Sequence, residues 1–131
     1  MSITSARTSK TQLLYIGNEP DLSKASSALL KQAGFKVRST NPLHAADAVR
    51  EHRYSAVIFC ATLSFSEMEK IARLMEIHQP GVPIISVRVG MLGDGPCPTS
   101  AMVVDALCGP QALIGAVRTV IAGPESVMRA G

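Results

Sequence analysis

Short apolar runs alternate along this chain with segments in which apolar residues recur every three or four positions. "QLLYIG" (Gln12–Gly17) is a compact apolar run closed by Gly-Asn, the pattern of a buried strand. From Asp21 to Ala33 the spacing turns helical, placing Leu22, Ala25, Leu29, Leu30 and Ala33 on one face, and Gly34 supplies the stop. "KVRS" (Lys36–Ser39) predicts a second strand, polar enough for a sheet edge. Pro42 opens a predicted helix that turns Leu43, Ala46 and Val49 inward. "AVIFC" (Ala56–Cys60) is the third strand, ending where small polar residues begin.

Ser64, with Glu67 three residues on, predicts a capping box for a helix whose apolar stripe is Phe65, Met68, Ile71, Ala72 and Met75. "QPGVP" (Gln79–Pro83) breaks that helix. "IISV" (Ile84–Val87) and "VVDAL" (Val103–Leu107) are the fourth and fifth strands. Gly109-Pro110 turns into a last helix that directs Leu113, Ala116, Val117, Val120 and Ile121 to the core. One interval departs from the alternation. Between Val89 and Met102, "VGMLGDGPCPTSAM" carries three glycines and two prolines where a helix is due. The fourth helix of the series is therefore expected to be short or replaced by a Gly/Pro-rich loop.

Strands alternating with helices imply right-handed crossovers and a parallel sheet covered on both faces. The expected organisation is one α/β domain over residues 11–122, after a disordered arm at 1–10 and before a tail at 123–131. A length of 131 residues suits one such domain. No apolar run reaches the length of a membrane span, and no apolar stretch follows Arg7 and Lys10 as a secretory signal requires. The three cysteines (Cys60, Cys97, Cys108) are odd in number and irregularly spaced, with no CxxC pair. That pattern argues against a disulfide scaffold or zinc site and for a reducing, cytoplasmic setting. A net charge of +3 is spread along the chain, densest around Lys24, Lys31, Lys36 and Arg38. With three Phe, two Tyr and no Trp to stack on bases, it reads as a solvated basic surface, and no nucleic-acid partner is expected.

In an open parallel sheet of order 2-1-3-4-5, working groups gather at the carboxyl ends of the strands. That rim comprises Gly17, Asn18 and Glu19, then Cys60, Ala61 and Thr62, then Ser86 to Val89, and finally Cys108, Gly109 and Pro110. "IGNEPD" has neither GxGxxG nor a Walker pattern. His44, His52 and His78 lie in or at the ends of helices, away from the Cys60 thiol that a base would have to activate. A hard cation needs clustered carboxylates, and Glu19 is the rim's single one. Neither an enzyme nor a cofactor site emerges.

Four phrases carry a resemblance: "LLYIGNEPDLSKASSALLKQAGFKV", "YSAVIFCATLS", "GVPIISVRV" and "DALCGPQAL". In that order and at those intervals, about Thr11 to Ala122 resembles the receiver domain of two-component response regulators. The resemblance implies a CheY-like, flavodoxin-like three-layer sandwich with a five-stranded parallel sheet of order 2-1-3-4-5. It further implies an acidic pair after strand one that holds magnesium and a phosphoacceptor aspartate ending strand three. A Thr or Ser would end strand four, and a lysine would precede the proline after strand five. At those positions this chain has Gly17 and Asn18, Cys60, Arg88, and Gly109 before Pro110.

Aspartyl phosphorylation needs a carboxylate nucleophile and a metal to offset charge on the transferring group. The expectation is therefore a degenerate pseudo-receiver without phosphotransfer, acting as a protein–protein interaction module in bacterial two-component-type signalling. Its partner would be a signalling protein or a second copy, as a homodimer. Because that family pairs through the face around helix four and strand five, Met91, Leu92 and Met102 are the candidate surface. The alternative is a redox- or small-ligand-sensing domain that uses Cys60 and Arg88. A Cys60–Cys108 disulfide is out of reach, since an intervening strand separates them by about 9–10 Å. Cys97 is the remaining intramolecular partner. The nine residues after the last predicted helix leave no place for an output domain within this chain, which either acts alone or has been cut from a longer protein.

Overall fold

The structure, a computed structural model, describes residues 12–88, 102–105 and 109–122. The expected arm (1–10), tail (123–131) and Gly/Pro-rich interval with Met91, Leu92 and Cys97 lie outside the described residues, as does Cys108. In chain order the elements are β1 (Gln12–Ile16), α1 (Pro20–Gln32), β2 (Lys36–Thr40), α2 (Ala45–Glu51), β3 (Ala56–Phe59), α3 (Phe65–His78), β4 (Ile84–Arg88), β5 (Met102–Asp105) and α4 (Pro110–Ala122). The strands form one parallel sheet in the order β2-β1-β3-β4-β5. This is the CheY-like, flavodoxin-like arrangement.

Strand residues alternate between faces, and each face builds its own core. Leu14 and Ile16 of β1 with Val57 and Phe59 of β3 pack against Ala48 and Val49 of α2 and Met68, Ile71 and Met75 of α3. Leu13, Tyr15, Ala56 and Ile58 face the other way, against Leu30 of α1 and Ile114 and Val117 of α4. β1 and β3 are buried along nearly their whole length, whereas β2 at the edge is half-exposed throughout, as its polar sequence requires.

Three helices differ from their sequence reading, α3 only at Phe65, a residue of its predicted apolar stripe that is 55% exposed at the first turn. On α1 the buried residues are Ser23, Ser27 and Leu30, while Leu22 and Leu29 are 45% and 39% exposed. The helix is rotated because two hydroxyl pairs fix its inner face. Tyr15 Oη donates to Ser26 Oγ at 3.2 Å, and the Ser27 and Ser39 hydroxyls meet at 2.6 Å. Its stop is as read: Gly34 sits at φ 104°, in the left-handed region that ends helices.

α2 begins at Ala45 rather than Pro42, and Leu43 is 82% exposed. Asn41 Oδ1 accepts the His44 N–H at 2.9 Å, and the Asn41 carbonyl accepts it at 3.1 Å. This closes a turn before the helix can start.

The capping box of α3 is complete. Ser64 Oγ accepts the Glu67 N–H at 3.1 Å, and Glu67 Oε1 accepts the Ser64 N–H at 2.9 Å. Gln79 ends this helix as a buried anchor. It accepts the Tyr54 N–H and donates to the carbonyls of Val49 and His52.

Candidate functional site

The parallel register brings the carboxyl ends of the strands to one rim. Ile16 pairs with Phe59, and Phe59 with Ser86, so the residues that follow β1 and β3 leave the sheet side by side. The Cys60 N–H donates to the Ile16 carbonyl at 2.9 Å, and the Gly17 N–H donates to the Thr40 carbonyl at 3.1 Å. Ladder bonding thus continues one residue past the strands and fixes Gly17 and Cys60 against each other.

That approach makes residue 17 a tight place for a side chain. A Cβ there would stand 3.0 Å from Cys60 Cβ, 3.1 Å from Ser23 Oγ and 3.4 Å from Cys60 Sγ. Real carbon contacts rarely close below about 3.4 Å, so a side chain here would require Cys60 or Ser23 to give by a few tenths of an ångström. Cys60 itself is 2% exposed and packs within the core facing α1 and α4. Burial first, then the neighbouring Cys60 thiol, holds the Tyr15 phenol well above its ordinary range, and Ser26 pulls the other way. The phenol stays neutral, bridging the strand to α1.

Asn18 does different work from the acid that the resemblance implies. Its N–H donates to Thr62 Oγ1 at 3.0 Å, and its side-chain amide donates to the Thr62 carbonyl and to Glu67 Oε1, each at 3.1 Å. A neutral donor thus presents its N–H groups to the Thr62 carbonyl and the Glu67 carboxylate, where an acid would offer oxygens instead. Glu67 is held below its ordinary range, chiefly by the Ser64 N–H and further by Asn18. The capping signature exposed Glu67 as a helix terminus, but not as the partner of Asn18.

The donor set does not fit a hard divalent cation. Residue 17 has no side chain, residue 18 offers an amide already engaged, and residue 60 offers a buried thiol. Among the described residues, no three His, Cys, Asp or Glu side chains are grouped as metal ligands.

Arg88 ends β4, half-buried and opposite Asp105 in the β4–β5 ladder. With Cys60 it lines a pocket of about 210 Å³, whose other walls are Ala61, Leu63, Phe65, Met68 and Val87. Gly17 and Asn18 do not line this pocket; they line a separate one of about 260 Å³, with Ser23, Lys24 and Thr40 among its other walls. Gly109 stands at φ 89° with nothing near its missing Cβ, so backbone conformation and not crowding favours glycine there. Met102 is half-buried against the core facing α1 and α4. Tyr15 and Ser23 join the site without a strand-end position to mark them in the sequence. A tyrosine within an otherwise aliphatic strand was the available signal, because a buried hydroxyl needs a partner.

No protein-family model matches the chain, and no curated protein does. Solved structures do. The receiver domain of a sensor histidine kinase from Pseudomonas aeruginosa, solved with a magnesium ion in its active-site cleft, matches with a TM-score of 0.73 at 18% identity. The match covers 87% of this chain and 99% of that one. A Francisella response regulator receiver domain matches with a TM-score of 0.73 at 8% identity, covering 86% and 98%. A CheY-like receiver domain from Methylobacillus flagellatus matches with a TM-score of 0.68 at 15% identity, covering 84% and 98%. At these identities the likeness is one of fold. Among the described residues, no helix is long and apolar enough to cross a membrane.

Proposed function

We propose that this chain is a pseudo-receiver: a receiver fold that does not transfer phosphoryl groups and works by binding a protein partner in bacterial two-component-type signalling. The observation that carries this reading is that the positions of the acidic pair and the phosphoacceptor hold Gly17, Asn18 and Cys60, with Gly17 packed close against a buried thiol. The Asn18 amide supports it by facing Thr62 and Glu67 as a donor. A carboxylate nucleophile, a metal and a lysine are what phosphotransfer requires, and Cys60, Asn18 and Gly109 stand at the corresponding positions. On this reading the chain is not an enzyme, and its setting is cytoplasmic.

A surface for a partner is available on α1. Leu22, Ala25 and Leu29 recur at helical spacing and are exposed, so an apolar stripe faces outward. The partner is a signalling protein or a second copy of the chain.

The test is treatment with beryllofluoride and magnesium, or with acetyl phosphate, followed by NMR and mass spectra. No site-specific shift at the strand-end rim and no added phosphoryl mass are expected. Either change would overturn the reading. Size-exclusion chromatography with light scattering reads the homodimer form directly. The sensing alternative has the Cys60–Arg88 pocket in its favour. Its reactive-thiol version has less support, because Cys60 is buried.

A further inference from the structure

We infer that the groove between the turn at Asn41–Leu43 and α3 binds a free amino acid with an apolar side chain. This groove shares no wall residue with the Cys60–Arg88 pocket, and its use goes beyond the pseudo-receiver reading.

Its volume is about 520 Å³. That falls within the roughly 300–1,000 Å³ typical of small-molecule sites. Ile71, Leu74 and Leu43 give it an apolar side, on which Ile71 is buried and Leu74 half-buried. Leu43 stands exposed on a turn that Asn41 fixes through its bonds to His44, so this wall is set before anything binds.

Glu67 and Lys70 are the two charged residues of the lining, one of each sign. Glu67 Oε1 accepts both the Ser64 N–H and the Asn18 amide, and among the described residues no hydrogen bond engages Oε2. Lys70 is near enough to help hold Glu67 below its ordinary range. It nevertheless belongs to none of the ion pairs among the described residues. The groove therefore offers an anion and a cation that have not closed on each other.

A zwitterion answers both charges. Its ammonium donates to Glu67 Oε2, its carboxylate accepts from Lys70, and its side chain lies on Ile71, Leu74 and Leu43. A simple carboxylic acid would meet Lys70 but be repelled by Glu67. An amine would meet Glu67 but be repelled by Lys70. A neutral apolar molecule would cover both charges and pair with neither.

Amide NMR titration of the full chain with leucine tests this. N-acetylleucine, leucinamide and glycine are the comparisons, lacking in turn the ammonium, the carboxylate and the apolar side chain. Saturable shifts at Leu43, Glu67, Lys70, Ile71 and Leu74 are expected with leucine. Each comparison ligand should bind about fivefold more weakly or worse, the size of one solvated ion pair or one uncovered side chain. Lys70→Met, at an exposed position, should remove the preference for leucine over leucinamide. Should that variant fail to fold, the ligand comparison in the unaltered protein decides alone.

The absence of saturable shifts with leucine, or a comparison ligand that binds as tightly as leucine, would overturn the inference. An undiminished preference over leucinamide in Lys70→Met would do so as well. Beryllofluoride shifts at the strand-end rim would overturn the pseudo-receiver reading and leave this one standing, so the two failures are distinguishable.

Discussion

Gly17 and Cys60 are in contact at the limit of packing: a Cβ on residue 17 would lie 3.0 Å from Cys60 Cβ. The cost of any side chain there is steric, because Gly17 is not among the glycines held at positive φ. Gly17→Ala should therefore destabilise the fold by about 1–3 kcal/mol, the usual range for overpacking a filled core. Cys60→Gly removes the opposing carbon, so the double variant should lose less than the sum of the two single losses. Urea denaturation of all four proteins measures this coupling. Strict additivity would mean that the two positions are independent.

Acid should weaken the rim through Glu67. Its folded-state pKa lies below its ordinary value, so its contribution to stability is present above that ordinary value. The contribution is lost as pH falls through the folded value. Glu67→Gln keeps the capping geometry but not the charge. The stability difference between the native chain and this variant should shrink as pH drops below about 4.5, the ordinary value. Because Glu67 is well solvated, the effect should be small and further reduced by salt. Denaturant midpoints across pH 3 to 7, about the range in which carboxylates titrate, check the sign.

The two faces of α1 should respond oppositely to substitution. Leu30 is fully buried, and Leu30→Ala should cost about 2–5 kcal/mol. Leu22→Glu with Leu29→Glu should change stability by less than about 0.5 kcal/mol per site, since both side chains are exposed. If the partner surface is on α1, the same double variant abolishes association while leaving the fold intact. Light scattering and denaturation together separate the two effects.

Gln79 should behave as a core residue despite its polarity. It is 3% exposed and serves the Tyr54 N–H and the carbonyls of Val49 and His52. Gln79→Ala strands those three backbone groups and should cost about 3 kcal/mol or more, at 1–3 kcal/mol for each unsatisfied group. Loss of amide protection at Tyr54 in hydrogen exchange should accompany it. A cost below about 1 kcal/mol would mean that water replaces the amide.

The breaker "QPGVP" marked where α3 ends and gave no hint that its first residue ties α3 to the α2–β3 connection. Gln79 is read locally as a polar residue before Pro80, whereas its burial depends on carbonyls about 30 positions earlier. The site divides in the same way. Gly17, Asn18, Cys60 and Arg88 could be placed on one rim from strand ends alone. That Asn18 turns toward Glu67 and away from the Cys60–Arg88 pocket is decided by tertiary packing.

By itself the sequence determined the periodicities: which runs are strands, which are helices, and where capping or glycine stops them. Those depend on neighbours three or four residues apart, and Ser64, Glu67 and Gly34 carry them in plain view. Tertiary structure alone decided the rotation of α1. Leu22, Ala25 and Leu29 form one helical stripe, and Ser23, Ser27 and Leu30 another. Hydrophobicity favoured the first, but buried Tyr15 bonds Ser26, and the Ser27 hydroxyl meets that of Ser39 at the sheet edge. A sheet surface that carries polar groups selects a helix face with hydroxyls to meet them, and no window along α1 contains that surface.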